Sequence, residues 1–556
     1  MGDRASSGSD ERHMSLYTAR VIIPIILGVV FALGDDVAMM GGRLYPTRPL
    51  LYAKMLVFIA FFTVVFVLAE RLIRMLTERE HMDTRSSIWF RWTPQSILLG
   101  AAVILICWLP YLIMQYPGVY WSDTARQLVM YYGGELIMDQ HPFFDTYVFG
   151  WFADLGQLLF SDRILGLYLL IILQTIAVTV LLSATVSDMR RIGAPRWLCT
   201  VMYAVMALFP LFPVMFSSLA KETMNAIVVI PFIMMVAEIV RTEGACLKRP
   251  WFTVVLAADT LLICLTKKTG VYIVIITLLA LCALRLGAKL RAMLIGIAAA
   301  LAVIMMAVIP YVVFPALDIQ PGGKQEMVSV IAQQLAHDLG DHGDEFTEED
   351  RAIIDGFFEY DSTAMAQRYD PFQADAVKGM YARDESSLTD VLGLWLRKTV
   401  EYPLGHLEAW LATSHGWISF RGPDGAPGYL IPYFASNWYT EQVTDYMTWP
   451  QETVRNHAVQ TVYETVQGLP LVNSLFFRAT WATVVPAFLC YLACGLPRGF
   501  RRNAWMVLTP LLVSTATLFI AGVSGEGGEP TRYVFTSILL IPMIAGFLLR
   551  RSENIA

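Results

Sequence analysis

Charged side chains stand in short turns between long apolar segments, namely at Asp123, Lys221-Glu222, Lys267-Lys268 and Arg532. Charge next to a membrane is costly unless it meets headgroups, pairs with an opposite charge or binds a ligand. A carboxylate can take a proton from a hydroxyl group, and lysine and arginine bind phosphate well. Headgroup contact or local pairing would explain each cation taken singly. Taken together, the residues predict chemistry on a phosphate-bearing lipid.

Asp123 follows an apolar segment that ends at Pro117-Gly118, where the helix is expected to stop and the chain to turn. Tyr120 and Trp121, just before the acid, suit the headgroup level of a bilayer. Asp123 is then predicted to lie just outside the membrane. It serves there either as the N-cap of a helix over Thr124–Tyr132 or as a general base. The same loop continues with a second polar cluster, Asp139-Gln140-His141-Pro142.

The composition is that of a large integral membrane protein. Of the 556 residues, 56% are hydrophobic and 16% are charged, whereas a soluble domain carries roughly 25% charged residues. The apolar residues form long blocks, which excludes a disordered chain or a small disulfide scaffold. Residues 318–476 hold 24 acidic and 9 basic side chains, and the rest of the chain is net positive. The overall charge of −6 does not suggest nucleic acid as a partner.

About twelve segments have the length and hydropathy of membrane-spanning helices, which need about 20 mostly apolar residues. They are Leu16–Gly34, Leu51–Ile73, Gln95–Met114, Ile164–Val186, Trp197–Ser217, Thr223–Val240, Phe252–Thr266, Gly270–Leu286, Ala292–Phe314, Phe477–Leu496, Ala504–Val523 and Val534–Leu549. Phe144–Phe160 is also apolar, but Asp145 and Asp154 interrupt it, so we expect an amphipathic helix on the outer surface.

Basic residues mark every second loop, for example at Arg71, Arg190, Arg241, Arg285, Arg498 and Arg550. The positive-inside rule predicts that these loops and both chain termini are cytoplasmic. The turns that carry Asp123 and the cations described above are then extracytoplasmic. The sequence therefore predicts a multi-pass protein of the cell membrane with its active site on the outer side.

The predicted architecture is an all-α polytopic membrane protein with a mostly helical exoplasmic domain. Residues 1–15 form a disordered cytoplasmic tail, and 16–317 form a membrane domain of about nine helices with a large outer loop at 115–163. Residues 318–476 form the exoplasmic domain, and 477–556 contain three further helices. Helical spacing and capping signals in the exoplasmic segment favour helices at Val328–His337, Thr347–Phe358, Val391–Val400 and Glu401–Gly416. Its tryptophans are expected to anchor it at the membrane interface or to stack on sugar rings: Trp395, Trp410, Trp417, Trp438 and Trp449.

This layout resembles the GT-C superfamily of polytopic glycosyltransferases, in particular its protein O-mannosyltransferase-like and bacterial cell-envelope branches. Asp123 matches the acidic catalytic position in the first large outer loop of that family. Asp139-Gln140-His141-Pro142 resembles a downstream His-Pro element, and Arg532-Tyr533 resembles a late Arg-Tyr element. Lys221-Glu222 is similar to a basic-acidic turn.

The resemblance implies an inverting transfer of a sugar from a polyprenyl-phosphate donor to an extracytoplasmic glycan, lipid or protein. Asp123 would be the general base, and His141 would position the acceptor or the phosphate. The donor phosphate would meet the cations, and substrate contacts would extend to neighbouring residues: Lys221, Lys267, Lys268, Arg532, Tyr120, Trp121, Asp139, Glu222 and Tyr533. The family often carries two adjacent acids, whereas Asp123 stands next to Ser122. No metal ligand is assigned and no cofactor is predicted, although a divalent cation fits the chemistry.

A transporter or a lipid or polysaccharide flippase is the alternative, because it too would have about twelve spans. Asp259, an acid inside a predicted span, would then mark the transport path. Transporters commonly show inverted repeats and polar groups near the midplane. In this sequence no repeat is evident, and the polar residues concentrate at the outer edge, which favours the transferase.

Overall fold

Helices dominate the computed structural model, which describes residues 3–80, 89–436, 441–522 and 529–550, with side chains from Arg20 onward. That part of the chain contains two short strands, β1 at Val119–Tyr120 and β2 at Ser218–Leu219, which pair in parallel. Together with its long apolar helices, this makes the chain an all-α, membrane-embedded protein.

In the described residues of the first half of the chain there are thirteen α-helices, several of which are long and apolar. Their bounds are α1 Asp3–Met39, α2 Pro49–Glu80, α3 Pro94–Met114, α4 Ser122–Tyr131, α5 Phe143–Phe160, α6 Arg163–Arg191, α7 Arg196–Leu208, α8 Leu211–Phe216, α9 Lys221–Arg241, α10 Pro250–Thr266, α11 Gly270–Leu281, α12 Ala288–Val303 and α13 Phe314–Ala316. A 3₁₀ turn at Ala245–Lys248 precedes α10, and a π-helical stretch at Ile304–Val313 joins α12 to α13.

The second half begins with the predicted exoplasmic segment and ends with apolar helices. Its helices are α14 Ser329–His342, α15 Glu348–Phe357, α16 Ser362–Arg368, α17 Asp375–Lys378, α18 Leu388–Glu401, α19 Pro403–Ile418, α20 Val454–Gln467, α21 Val485–Cys494, α22 Arg498–Ala521 and α23 Glu529–Leu548. A π-helical turn at Thr480–Val484 leads into α21, and 3₁₀ turns lie at Lys324–Val328, Gly343–Glu345, Glu441–Asp445 and Val472–Leu475.

The four helices expected in the exoplasmic segment are confirmed as α14, α15, α18 and α19. Thr347 and Ser387 cap α15 and α18, and each forms a capping box with the aspartate three residues later. These local bonds satisfy backbone N–H groups that would otherwise lack partners, which explains why the sequence signals these helix starts.

Eight helices in the described part of the chain are long and apolar enough to cross a membrane. They are Arg20–Met39, Pro49–Glu80, Pro94–Met114, Arg163–Arg191, Lys221–Arg241, Ala288–Ala316, Arg498–Ala521 and Pro530–Leu548. The other four predicted spans correspond to shorter apolar helices, namely Arg196–Leu208, Pro250–Thr266, Gly270–Leu281 and Thr480–Cys494. The expected Trp197–Ser217 span is divided, because Pro210 separates α7 from α8. At 1.5 Å per residue, α7 is about 20 Å long, shorter than a hydrocarbon core of about 30 Å.

Helix α1 begins at Asp3, so it includes described residues of the segment that the sequence predicts to be a disordered cytoplasmic tail. Trp438 lies outside the described residues.

Residues 318–476, the segment predicted to be exoplasmic, are joined to the long apolar helices by side-chain bonds from α19. The Nε1 groups of Trp410 and Trp417 donate to the carbonyls of Phe519 and Leu518, 3.0 and 3.2 Å away, near the end of α22. Trp417 is fully buried. These two tryptophans therefore contact another helix of the same chain rather than the membrane interface, and they hold the segment against the helix bundle.

Candidate functional site

The parallel pair of short strands brings two distant helix starts together. The chain turns at Gly118, whose φ of +107° a residue with a Cβ rarely adopts, and then enters β1. Tyr120 of β1 is in register with Leu219 of β2, so α4 and α9 begin side by side. The hydroxyl of Thr124 donates to the carbonyl of Leu219 at 2.7 Å and reinforces this arrangement. As a result, the first turns of two helices about 100 residues apart share one site.

Asp123, in the first turn of α4, is contacted by two cations from different helices. The Nζ of Lys221, the first residue of α9, donates to its Oδ2 at 2.9 Å. Arg532, in the first turns of α23, donates from its guanidinium to the same oxygen. The Nδ1 of His141 lies 3.5 Å from that Oδ2. Three residues from different parts of the chain thus converge around one oxygen of Asp123.

The electrostatics of this cluster favour an ionised carboxylate and a neutral imidazole. Burial opposes the ionisation of Asp123, but the charges of Lys221 and Arg532 overcome it and hold its pKa well below the usual range. Burial, together with the same two cations, lowers the pKa of His141 to about 3 despite the nearby carboxylate. At neutral pH, His141 therefore adds no charge and can serve as a neutral hydrogen-bonding group.

Lys221 also lines a cavity of about 120 Å³ that adjoins the cluster. The cavity is bounded by three lysines, one carboxylate, one amide and several hydroxyl-bearing or apolar side chains: Gln140, Pro142, Lys221, Glu222, Lys267, Lys268, Thr269, Ser514, Thr517, Leu518, Ala521 and Tyr533. It is smaller than the roughly 300–1,000 Å³ of pockets that enclose drug-sized ligands. Its size and charge suit a small anionic group.

The two adjacent lysines of the cavity have different partners. The Nζ of Lys267 donates to the hydroxyl of Thr536 at 2.9 Å and lies 4.0 Å from Glu222 Oε1. Burial lowers the pKa of Lys267 to about 8, against the opposing effect of Glu222. Lys268 is half exposed, and its Nζ lies 3.1 Å from Asp139 Oδ2. Asp139 thus belongs to the rim of the cavity rather than to the cluster at Asp123.

The aromatic residues beside the cluster, Tyr120 and Trp121, are not exposed to lipid headgroups, because both are fully buried within the protein. The hydroxyl of Tyr120 donates to the carbonyl of Pro117 at 2.7 Å. Trp121 donates to the hydroxyl of Ser218 at 3.0 Å, and its ring lies 5.8 Å from the Arg532 guanidinium. Strand pairing turns these side chains inward. Trp121 therefore supports Arg532, while Tyr120 supports the turn before the site.

The N-cap interpretation of Asp123 is wrong, because Trp121 occupies the cap position and α4 begins at Ser122. Asp123 is the second residue of the helix, where the positive end of the helix dipole favours an acid. Its carboxylate accepts hydrogen bonds from Lys221 and Arg532 rather than capping the helix. Tyr533, the last predicted contact, accepts a bond from Arg532 at 3.3 Å and also faces the cavity.

Several residues of the site are not evident from the sequence pattern. Asp145 in α5 is fully buried, and burial, reinforced by the charge of Glu222, raises its pKa well above the usual range. The sequence suggests a solvent-facing acid there, but of the two acids on that helix only Asp154 is exposed, and it accepts bonds from two tyrosine hydroxyls. Ser514 and Thr517 stand three residues apart in an apolar helix, a spacing that puts both on one face and could have indicated the cavity.

A divalent cation would need several ligand side chains close together. In the part of the chain that the structure describes, no group of three or more His, Cys, Asp or Glu side chains is arranged to hold a metal ion. The cluster at Asp123 consists of one carboxylate, one neutral imidazole and two cations, and the adjoining cavity adds Glu222 and two further lysines. Such a set can orient or deprotonate a hydroxyl group and can bind a phosphate beside it.

Comparison with known proteins identifies a family but no characterised relative. A model described as "Family of unknown function (DUF6020)" matches residues 132–545, and the chain belongs to this family. No curated protein and no solved structure matches the chain. The match includes His141, Lys221, Lys267 and Arg532, whereas Asp123 precedes it.

Proposed function

We propose that this DUF6020 member is a membrane glycosyltransferase that moves a sugar from a polyprenyl phosphate to an extracytoplasmic acceptor hydroxyl. The acceptor class is a glycan, a lipid or a protein. The observation that carries the proposal is the continuity between the Asp123 cluster and the lysine-lined cavity, with Lys221 common to both. A base and a phosphate site that share one residue are suited to a reaction in which a hydroxyl attacks and a phosphate leaves.

The proposed reaction assigns a role to each part of the site. The acceptor oxygen forms a bond to the anomeric carbon while the bond from that carbon to the phosphate oxygen breaks, with inversion. Asp123 takes the acceptor proton, and the released polyprenyl phosphate keeps the electron pair of the broken bond. Lys221, Lys267 and Arg532 stabilise the phosphate charge that develops. Neutral His141 orients the acceptor hydroxyl or the phosphate.

The membrane arrangement is part of the proposal. All twelve predicted apolar segments would cross, with α7 and α8 together forming one crossing, both termini cytoplasmic and the site on the outer side. In support, Arg241 lies at the opposite end of α9 from the cavity, and Arg191 at the end of α6 pairs with Glu238 near that same end of α9. The cytoplasmic ends would hold these arginines according to the positive-inside rule. A polyprenyl tail could then lie in the membrane while its phosphate reaches the lysines.

Transport is the competing function, and one observation favours it. Asp259 in α10 is buried, and its Oδ2 has no hydrogen-bond partner among the described residues. An acid within an apolar helix often belongs to an ion or substrate path. The cavity, however, is lined by residues at helix ends, with Lys221 and Lys267 at the start of α9 and the end of α10. We therefore favour the transferase.

The test is a transfer assay with the purified full-length protein in lipid nanodiscs. A panel of polyprenyl-phosphate sugars is supplied with short glycan, lipid and peptide acceptors, and both glycosylated product and released polyprenyl phosphate are quantified. We expect one donor to give stoichiometric product and phosphate lipid. Proteoliposomes loaded with the same lipids provide the comparison. Movement of lipid between leaflets without any sugar transfer would replace the transferase with the flippase.

A further inference from the structure

The cations assigned to the donor phosphate are already engaged by a carboxylate. Lys221 and Arg532 both donate to Oδ2 of Asp123, and the side chains of Lys221, Arg532 and Asp123 are 15%, 7% and 16% exposed. Lys221 also lines the cavity, so its ammonium group stands between the carboxylate and the space proposed for the phosphate. A single oxygen of Asp123 is thus bonded to two cations that the proposed function requires for the donor phosphate.

We propose that Asp123 is an internal occupant of this cation site, which an entering phosphate displaces from Lys221 and Arg532. The inference rests on the proposed function, because it requires that a phosphate lipid reaches the cavity. Once displaced, the carboxylate is free to contact the acceptor hydroxyl. The donor would therefore prepare its own base, and acceptor activation would follow donor binding.

The geometry makes the exchange feasible without movement of a helix. Lys221 has a flexible stem and three donor hydrogens, so its ammonium group can turn from Asp123 toward the cavity. Arg532 has a planar fork of donors that suits a phosphate better than a single carboxylate oxygen. Lys221 is also the first residue of the 21-residue helix α9, whose N-terminal dipole favours an anion at that end. The Arg532 fork therefore favours a phosphate over a single carboxylate oxygen, the Lys221 stem permits the exchange, and the dipole of α9 stabilises an anion at this end.

Binding of polyprenyl phosphate alone, without sugar, tests the exchange in the full-length protein in nanodiscs. Asp123→Asn removes the competing charge, so we expect its Kd to fall at least about tenfold, because the cations are then free in a larger fraction of molecules. Glu222→Gln is the matched control, since Glu222 lines the same cavity but makes no hydrogen bond among the described residues. If both carboxylates merely repel the phosphate, removal of either charge should lower the Kd to the same extent. If the phosphate displaces Asp123, Asp123→Asn should lower the Kd well beyond Glu222→Gln. Equal tightening, or none in Asp123→Asn, overturns the inference.

A measurement on the wild-type protein covers the case in which Asp123→Asn folds poorly. Isotope-edited infrared spectra with labelled aspartate should show one carboxylate band that shifts when polyprenyl phosphate is added. A spectrum unchanged at saturating ligand overturns the exchange while leaving the proposed function intact. If wild-type protein binds no polyprenyl phosphate in either measurement, the proposed function itself fails, and the inference with it.

Discussion

Replacing Asp123 with Asn removes one charge and leaves the shape of the site unchanged. The amide oxygen can still accept from Lys221 and Arg532, but two charge-assisted hydrogen bonds become two bonds to a neutral acceptor. That difference is about 1 kcal/mol for each bond, so the folded protein should lose about 2 kcal/mol of stability. A membrane protein with a large buried core should remain folded after such a loss.

The effect on activity should be larger and of a different kind. Removing a general base lowers turnover by roughly 100- to 10,000-fold, equivalent to about 3–5 kcal/mol of transition-state stabilisation. Turnover is measured by sugar transfer at saturating donor, and folding by thermal unfolding in the same nanodiscs. We expect expression and unfolding temperature close to wild type, together with a loss of turnover of at least a hundredfold.

Asp154→Asn is the matched control, because Asp154 lies on the exposed side of α5 and accepts bonds from the hydroxyls of Tyr131 and Tyr132. It removes the same charge away from the site and should leave turnover within about twofold of wild type. An Asp123→Asn protein that transfers sugar at the wild-type rate would refute the base assignment. Glu222, which lines the cavity, and Asp139, at its rim, would then be the next candidates.

Three further predictions follow from the same site and from the proposed topology. Lys267→Ala should reduce donor use by a hundredfold or more, equivalent to about 3–4 kcal/mol, whereas Lys324→Ala, an exposed lysine paired with Asp384, should have no effect in the transfer assay. Because the pKa of Lys267 is about 8 and phosphate favours the charged amine, donor affinity should fall as the pH rises above 8, by up to about tenfold per pH unit. Lys267→Arg should flatten this dependence in Kd measurements between pH 7 and 10, and an equally steep decline in that variant would contradict the assignment. In a cysteine-free background, Asp384→Cys should react with a membrane-impermeant thiol reagent on intact cells and Ala245→Cys should not. The opposite labelling pattern would reverse the topology.

Local chemistry alone determines most of the helices of this protein. An apolar block of about 20 residues must satisfy its own backbone in a membrane, and a helix does this within one segment. Thr347 and Ser387 likewise mark the starts of α15 and α18 in the sequence, since a cap acts over only three residues. The helix lengths are less predictable, because Pro210 divides one apolar block and its effect depends on how the chain turns there.

The sequence also identifies the charged residues that are candidates for the functional site, but it does not determine how they pair. Asp123, Lys221 and Arg532 lie in separate turns, and the alternation of basic loops can only assign them to the same side. The register of β1 against β2 and the packing of α23 against α9 decide that Lys221 and Arg532, rather than Lys268, meet Asp123. These are contacts over about 100 and 400 residues of chain, and no local pattern encodes them.

Burial is likewise decided only by the tertiary structure. Tyr120 has the residue type of an interfacial anchor, yet strand pairing turns it into the core. Asp145 and Asp154 stand nine residues apart on one helix, and only packing makes the first fully buried and leaves the second exposed. Helical periodicity relates residues on one element, whereas burial depends on which other elements cover each face. The sequence therefore determines which groups are available for chemistry, and the fold determines which of them act together.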